Sequence, residues 1–486
     1  MGLQHQKGHL GLRRFSKRNM LLQNNNEEGD LFNDRSLFHV RLFGDNEGMR
    51  YLCNMKRKKS IVYIVLFVCM APLALLQGCL NRDYIDWSDY QTYYMSELPV
   101  EPQDFKADFE EIYQKTLNRF AYIEAKHLDM DSIHDAFVSR LDTIQQKTDY
   151  ALLLREFFAS LKAGHAGISF HPYHIGNDAI LIENRVFISH PSQAAQKAGF
   201  MDKDEILSVN HVPTAEWLQN HAKYISASTE ASRLVNTALE ITYDHVDSVR
   251  TFGIRRGEEE MELTVNLLNS QQRSGKDWQQ LTHQKLTPEV GYIAINMLDD
   301  ESVVGSFVKA LDEYRNLPYL IVDVRENGGG NSRNGDRIAE YLIKHDCKNW
   351  MGEQLKMNKN AYKGMVYVLM GPNTFSAAET FLVELKESHD AANRQYNENT
   401  DIVLVGEPSA GDMGGVILPY KTSHGVCFRL PVMNRITTPG GHPTEGKAIQ
   451  PDHVVHQKVT DFMAGKDTQI EYVLWLIKVA KAHELM

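Results

Sequence analysis

The C-terminal part of the chain is predicted to adopt an α/β fold, and three features of the sequence predict it. Four nearly continuous apolar runs, Gly291–Ile295, Tyr319–Val324, Met365–Met370 and Ile402–Val405, read as strands of a sheet buried on both faces. Helical patterns follow the second and the third of them. The same two runs end in loops rich in glycine and small polar residues, and ligands of open α/β sheets gather at such strand ends.

At 486 residues the chain is too long for one ordinary core, so two or three domains are expected behind any targeting segment. An apolar share of 43% and a charged share of 24% exclude coiled coil and wholesale disorder. The formal net charge of -11, with no basic stripe to offset it, excludes nucleic acid as a partner. Cys53, Cys69, Cys79, Cys347 and Cys427 lack the paired spacing of a zinc site or a disulfide framework. Cys347 and Cys427, the two in the folded part, could be buried hydrophobes or, in an oxidising compartment, a pair.

Met55-Lys56-Arg57-Lys58-Lys59 is a compact positive cluster, and the apolar run Ile61–Leu76 follows it, interrupted by Pro72. The run falls short of the roughly 20 residues that span a bilayer, so residues 55–79 read as a signal peptide and translation is expected to start at Met55 rather than within 1–54. Leu76-Gln77-Gly78-Cys79 resembles a bacterial lipobox, with Gln77 unusual in it, which implies lipidation of Cys79 and a membrane anchor. An uncleaved anchor or a buried helix is the alternative. Residues 80–98 read as a tether.

Residues 99–170 carry apolar residues at helical spacing, such as Phe105, Phe109 and Ile112, and are expected to form a small helical domain. Two glycines in Ala163-Gly164-His165-Ala166-Gly167 are expected to stop its last helix and leave His165 on a turn. Residues 171–272 alternate short strands and turns. The order Ala194-Ala195-Gln196-Lys197-Ala198-Gly199-Phe200, then Asp204-Glu205-Ile206-Leu207, resembles the PDZ pattern, with Lys203 where glycine is usual. That resemblance implies a domain that takes up a peptide as an added strand. Residues 273–486 complete the α/β part.

Two strand-to-loop junctions carry the chemistry. Asn327-Gly328-Gly329-Gly330 leaves backbone N–H groups uncovered by side chains, a cradle for an oxyanion. Thr374-Phe375-Ser376-Ala377-Ala378-Glu379 turns from a loop into a helix, so Ser376 meets the positive end of a helix dipole. Alone, Ser376 reads as a helix N-cap. The succession from these motifs through Val405-Gly406-Glu407-Pro408 to Glu445-Gly446 and Gln450-Pro451-Asp452 resembles the tail-specific, or C-terminal processing, serine protease family.

The resemblance implies a crotonase/ClpP-like core, Ser376 as nucleophile, and an oxyanion hole from the Ala377 amide with that of Gly328 or Gly329. One branch of the family uses a lysine where this chain reads Gly411-Asp412-Met413, so that base is missing. The branch that includes the tricorn core uses a histidine and a late glutamate, which implies His165 as base and Glu445 as its orienting carboxylate; Ala163 replaces a frequent aspartate. An imidazole so held can take and return the hydroxyl proton. Such a protease needs polypeptide substrates and no cofactor.

Gly441–Ala448 nearly spells a P-loop but lacks the magnesium-binding hydroxyl, and Pro451 follows where a helix should run. Ser409 reads as a loop residue, and His171 and His174 lack the companions of a metal site. The rival reading from another class is a non-catalytic, peptide-binding envelope lipoprotein with the same fold. No motif sets an oligomeric state.

Overall fold

The computed structural model describes residues 83–484 apart from 171, 172, 177, 269–278 and 397–401. The expected signal segment with Cys79, the cysteines at 53 and 69, His171 and the boundary expected at 272 lie outside the described residues. Residues 83–91, the described part of a unit that ends at Gln91, carry a 3-10 turn at Trp87–Asp89. Among the described residues no helix is long and apolar enough to cross a membrane.

Three helices, Phe105–Arg119, Met130–Leu141 and Lys147–Ser160, follow from the helical spacing of the early apolar residues. Phe109 meets the rings of Phe137 and Phe157 at centroid distances of 6.3 and 5.2 Å. Asp108 is buried, and its carboxylate accepts the Tyr150 hydroxyl at 2.7 Å and that of Thr422. The glycines expected to stop the last helix do not do so. The chain leaves it through Lys162, which takes a left-handed φ of 54°.

His165 stands on the turn that follows, two residues before the strand Gly167–Ile168. This strand pairs antiparallel with Cys427–Pro431, which in turn pairs with Ile417–Lys421. Backbone hydrogen bonds therefore pin the histidine turn to the C-terminal part of the chain.

A second, antiparallel sheet runs in the order Ala179–Ile182, Arg185–Ile188, Glu205–Val209, Val249–Arg256, Glu259–Asn266. Val186, Phe200, Ile206, Phe252 and Val265 fill its core together with Ala238 of the helix Glu230–Leu239. Lys203 adopts φ 72°, the left-handed conformation that favours glycine.

A six-stranded sheet runs in the order Leu281–Thr287, Val290–Ile295, Tyr319–Asp323, Met365–Met370, Ile402–Gly406, His453–Val454. Its first pair is antiparallel and the others are parallel. Leu320 and Val322 face a core shared with the helices Ser302–Tyr314, Ser332–Ala339 and Ala377–Tyr396. Ile321 faces the C-terminal helix Thr468–Glu484 through Val473 and Ile477. Cover on both faces is the reason the strands read as unbroken apolar runs. The whole is a mixed α/β protein.

Candidate active site

The strand Met365–Met370 runs out into a loop that reverses at Thr374 and enters the helix Ala377–Tyr396 directly after Ser376. Ser376 takes φ 57°, a strained conformation for a residue with a Cβ. Its carbonyl accepts the Glu379 amide at 2.8 Å and its own amide donates to the Asp412 carbonyl at 3.1 Å. The side chain is thereby held at the helix N-terminus, where developing negative charge is favoured.

His165 reaches this hydroxyl from the other side. Its Nε2 lies 3.1 Å from Ser376 Oγ, and its Nδ1 hydrogen-bonds Asp412 Oδ1. The imidazole is 5% exposed and stacks on the ring of Phe375, with centroids 4.3 Å apart. Asp412 Oδ2 accepts the Gly164 amide and faces Ser228 Oγ at 2.7 Å. A Cβ at residue 164 would lie 2.6 Å from that carboxylate oxygen, so Gly164 serves the close approach of Asp412. Burial alone would raise the Asp412 carboxyl, but the charge and hydrogen bond of His165, with the Ser228 hydroxyl and the Gly164 amide, hold it at about 2.

The expectation that Glu445 orients the imidazole is corrected by these contacts. Glu445 touches Ser228 Oγ at 2.5 Å and Lys126 Nζ at 2.6 Å, and the ring nitrogen intended for it is taken by Asp412. A short antiparallel bridge between residues 412 and 445 sets the two carboxylates side by side, with Asp412 on the histidine side. Asp412 and Ser228 are the residues that sequence reasoning missed. The available signal was a carboxylate in the loop where the lysine of the other branch would stand.

Of the two glycine amides considered for an oxyanion hole, that of Gly329 is spent on the Asn327 side-chain oxygen at 2.8 Å. Gly328 is open, its nearest neighbour to an added Cβ being Met297 Cε at 4.0 Å. At Gly329 a Cβ would meet Ser376 Cβ at 2.6 Å and the Ala377 nitrogen at 3.0 Å, which places the glycine loop against the head of the helix.

The loop that carries Asp412 is held by Glu379, in the first turn of the helix. Its buried carboxyl accepts Ser409 Oγ at 2.5 Å and the Gly411 and Asp412 amides at 2.8 Å each. Burial pushes this carboxyl up to about 8 against those donors. Ser409, fully buried, is a strut of the same loop, since its Oγ also accepts the Ile449 amide at 2.8 Å.

The one group among the described residues with ligand atoms close enough for a metal is His221, Glu240 and His245, within 4.8 Å of one another. The Arg155 guanidinium lies 2.7 and 2.8 Å from the two Glu240 oxygens, and a cation there would sit beside it. The cluster is an ion-pair network. Cys347 and Cys427 are free and buried, and burial pushes the Cys347 thiol up to about 12.

A hydroxyl next to an imidazole, a buried carboxylate behind it and bare amides at a helix head can drive acyl transfer, and the class this fold and site define is the serine-type hydrolase. Three family profiles match in succession: "Tricorn protease C1 domain" at residues 101–159, "Bacteroidetes, Peptidase, S41 family, N-terminal domain" at 181–267, and "Peptidase family S41" at 289–455. The chain belongs to peptidase family S41 and is a serine-type peptidase. Among solved structures it is similar to mature CPAF complexed with lactacystin, at 14% identity over 78% of this chain and 98% of that one, TM-score 0.59. Mature CPAF alone aligns at 14% identity over 74% and 94%, TM-score 0.58. These likenesses concern the fold. No curated protein is similar enough to be matched.

Proposed function

We propose that this peptidase is a lipid-anchored protein of a bacterial cell envelope that cleaves flexible or C-terminal segments of proteins through an acyl-enzyme. Ser376 attacks the peptide carbonyl, His165 takes the proton and returns it to the leaving amine, and Asp412 holds the imidazole in the required tautomer. The amides of Gly328 and Ala377 receive the oxyanion. The observation that carries the reading is the Nε2 to Oγ distance of 3.1 Å with Nδ1 bound to a buried carboxylate. No step calls for a cofactor.

The second sheet, read as PDZ-like and inserted between the helical part and a crotonase/ClpP-like catalytic core, would hold the substrate tail as an added strand. The division into residues 99–170, 171–272 and 273–486 belongs to the same reading. The anchor rests on the lipobox at Leu76–Cys79, and Cys79→Ala is expected to move the protein from the membrane to the soluble fraction.

Incubation of the purified protein with an unstructured peptide ending in apolar residues tests the proposal. Cleavage is expected, and Ser376→Ala should abolish it while binding survives. Binding without cleavage by the wild type would favour the non-catalytic lipoprotein instead.

A further inference from the structure

Beneath the His165 and Asp412 pair lies a chain of oxygens that the reaction as proposed does not use. Ser228 Oγ stands 2.7 Å from Asp412 Oδ2 and 2.5 Å from Glu445 Oε1. A serine hydroxyl owns one hydrogen and can donate to only one of two neighbours. Two carboxylates with no proton between them would leave one of these contacts as bare oxygens facing each other at hydrogen-bond distance. A second proton must sit on one of the two carboxyl groups.

Asp412 is not its holder. Its oxygens already accept His165 Nδ1 and the Gly164 amide, and both favour the anion. Glu445 has the opposite surroundings. Its side chain is 2% exposed, its Oε2 is buried with no hydrogen-bond partner, and the charge of Asp412 is its neighbour. Lys126, 2.6 Å from Oε1, is the group that favours the anion.

Resting on the proposed roles of Ser376, His165 and Asp412, we infer that Glu445 is a neutral carboxylic acid in the working enzyme. It donates its proton to Ser228 Oγ, which turns the Ser228 hydrogen toward Asp412 and leaves a single negative charge under the imidazole. Glu445 and Ser228 are then positioning residues, and the glutamate acts as a donor rather than as a charge. Burial first and the Asp412 charge second push the Glu445 carboxyl up to about 9, in keeping with this proton count.

The bridge also has a structural origin of interest. Ser228 precedes the helix Glu230–Leu239, whose Ala238 packs into the core of the second sheet, and Thr229 beside it donates to the Ala410 carbonyl at 2.8 Å. The third donor to Asp412 therefore comes from the part of the chain that carries the second sheet. A shift of that sheet by the length of a hydrogen bond would remove it.

The test compares Glu445→Gln, Glu445→Ala and Ser228→Ala with the wild type in peptide cleavage by the full chain. Glutamine is neutral and its amide can donate to Ser228, but that nitrogen cannot also accept Lys126 Nζ, which lies 2.6 Å from the same Oε1, so the three variants are compared in a Lys126→Met background. There Glu445→Gln should lose no more than about threefold in kcat/KM at neutral pH, whereas the alanine variants should lose about tenfold or more. Wild-type kcat/KM should decline as the pH rises through about 9, and Glu445→Gln should lack that decline. Infrared spectra at neutral pH should show protonated-carboxyl absorption from which Glu445→Gln removes one component, the band of the buried Glu379 carboxyl remaining.

Equal damage from glutamine and alanine, or an infrared band untouched by the substitution, would overturn the inference. His165→Ala and Asp412→Asn keep the two levels apart. If both are inactive while the band is untouched, the inference alone falls. If His165→Ala still cleaves, the roles on which it rests fall first.

Discussion

A Cβ placed on Gly414 would lie 2.6 Å from Cε1 of His165 and 2.8 and 2.9 Å from its two ring nitrogens, so the glycine sits over the imidazole. Phe375 stacks on the same ring, and Tyr122 fixes Gly414 through a 2.7 Å hydrogen bond to its carbonyl. Gly414 also has φ 78°, where a side chain is strained in addition to the clash. Gly414→Ala should therefore displace the imidazole from Ser376 and lower kcat by about a hundredfold, with KM little changed. Steady-state kinetics, with circular dichroism as a control for folding, decides it.

Asp412 receives His165 Nδ1, the Gly164 amide and Ser228 Oγ. Asparagine has one acceptor oxygen, and its amide would turn N–H groups toward a donor. Asp412→Asn is expected to lower kcat by about 10⁴-fold, the size of effect seen when an orienting carboxylate is lost from a triad. The acid limb of stability should change too. The folded carboxyl sits at about 2, below its ordinary 3.8, so its contribution is present above 3.8 and lost as the pH falls through about 2. Urea titrations across that range should be flatter for the asparagine variant.

Much of this site was legible in the sequence because strand ends and helix starts are local features. The apolar run before Gly371 and the small residues after Ser376 mark a strand-to-helix turn without any knowledge of what lies opposite. The pairing of His165 with Ser376, by contrast, spans 211 residues and was reachable only through the order of the family motifs. Asp412 carries no local signal of its own, because its loop stands out in sequence only for a missing lysine, while its contact with the histidine turn depends on Gly164 leaving room for a carboxylate 248 positions away. The left-handed Lys162 is hidden for a related reason, since glycine signals such conformations in sequence and lysine does not, whereas at Lys203 the PDZ resemblance, with glycine usual there, points to one.

Ser376 itself occupies a conformation that costs about 1–2 kcal/mol for a residue with a side chain. Ser376→Gly and Ser376→Ala should both be inactive, yet they should differ in stability. The glycine variant is expected to be more stable than the alanine variant by about 1 kcal/mol, since only alanine keeps the strained Cβ, a gain that the freer unfolded chain of glycine reduces. Denaturation midpoints at equal m-values measure the difference.

The buried network around Glu240 ties the first helices to the second sheet and makes its own prediction. Arg155, from the helix Lys147–Ser160, has a side chain 5% exposed, and its partner Glu240 is held well below the usual carboxylate range: burial opposes this, and Arg155 with His245 and His221 outweighs it. Arg155→Met would leave that anion buried without its main counter-charge and should cost about 3–5 kcal/mol. The two histidines add a pH dependence. Each imidazole directs Nε2 at Glu240 Oε2, at 2.9 and 3.2 Å, and His245 Nδ1 has no hydrogen-bond partner. A second proton on His245 would be a buried donor without an acceptor, facing Arg155 beside it, with the Phe170 ring edge-on at 4.5 Å. Burial and then Arg155 lower His245 to about 4, and burial lowers His221, which stacks on Trp217 and feels Arg155 and Arg250 as well. Both folded values lie below the ordinary 6.5, so the unfolded chain takes up protons first and stability is lost as the pH falls from about 6.5 toward 4. His245→Gln should flatten thermal stability over that interval in the full chain, and a wild-type melting temperature constant from pH 7 to about 4 would rule the arrangement out.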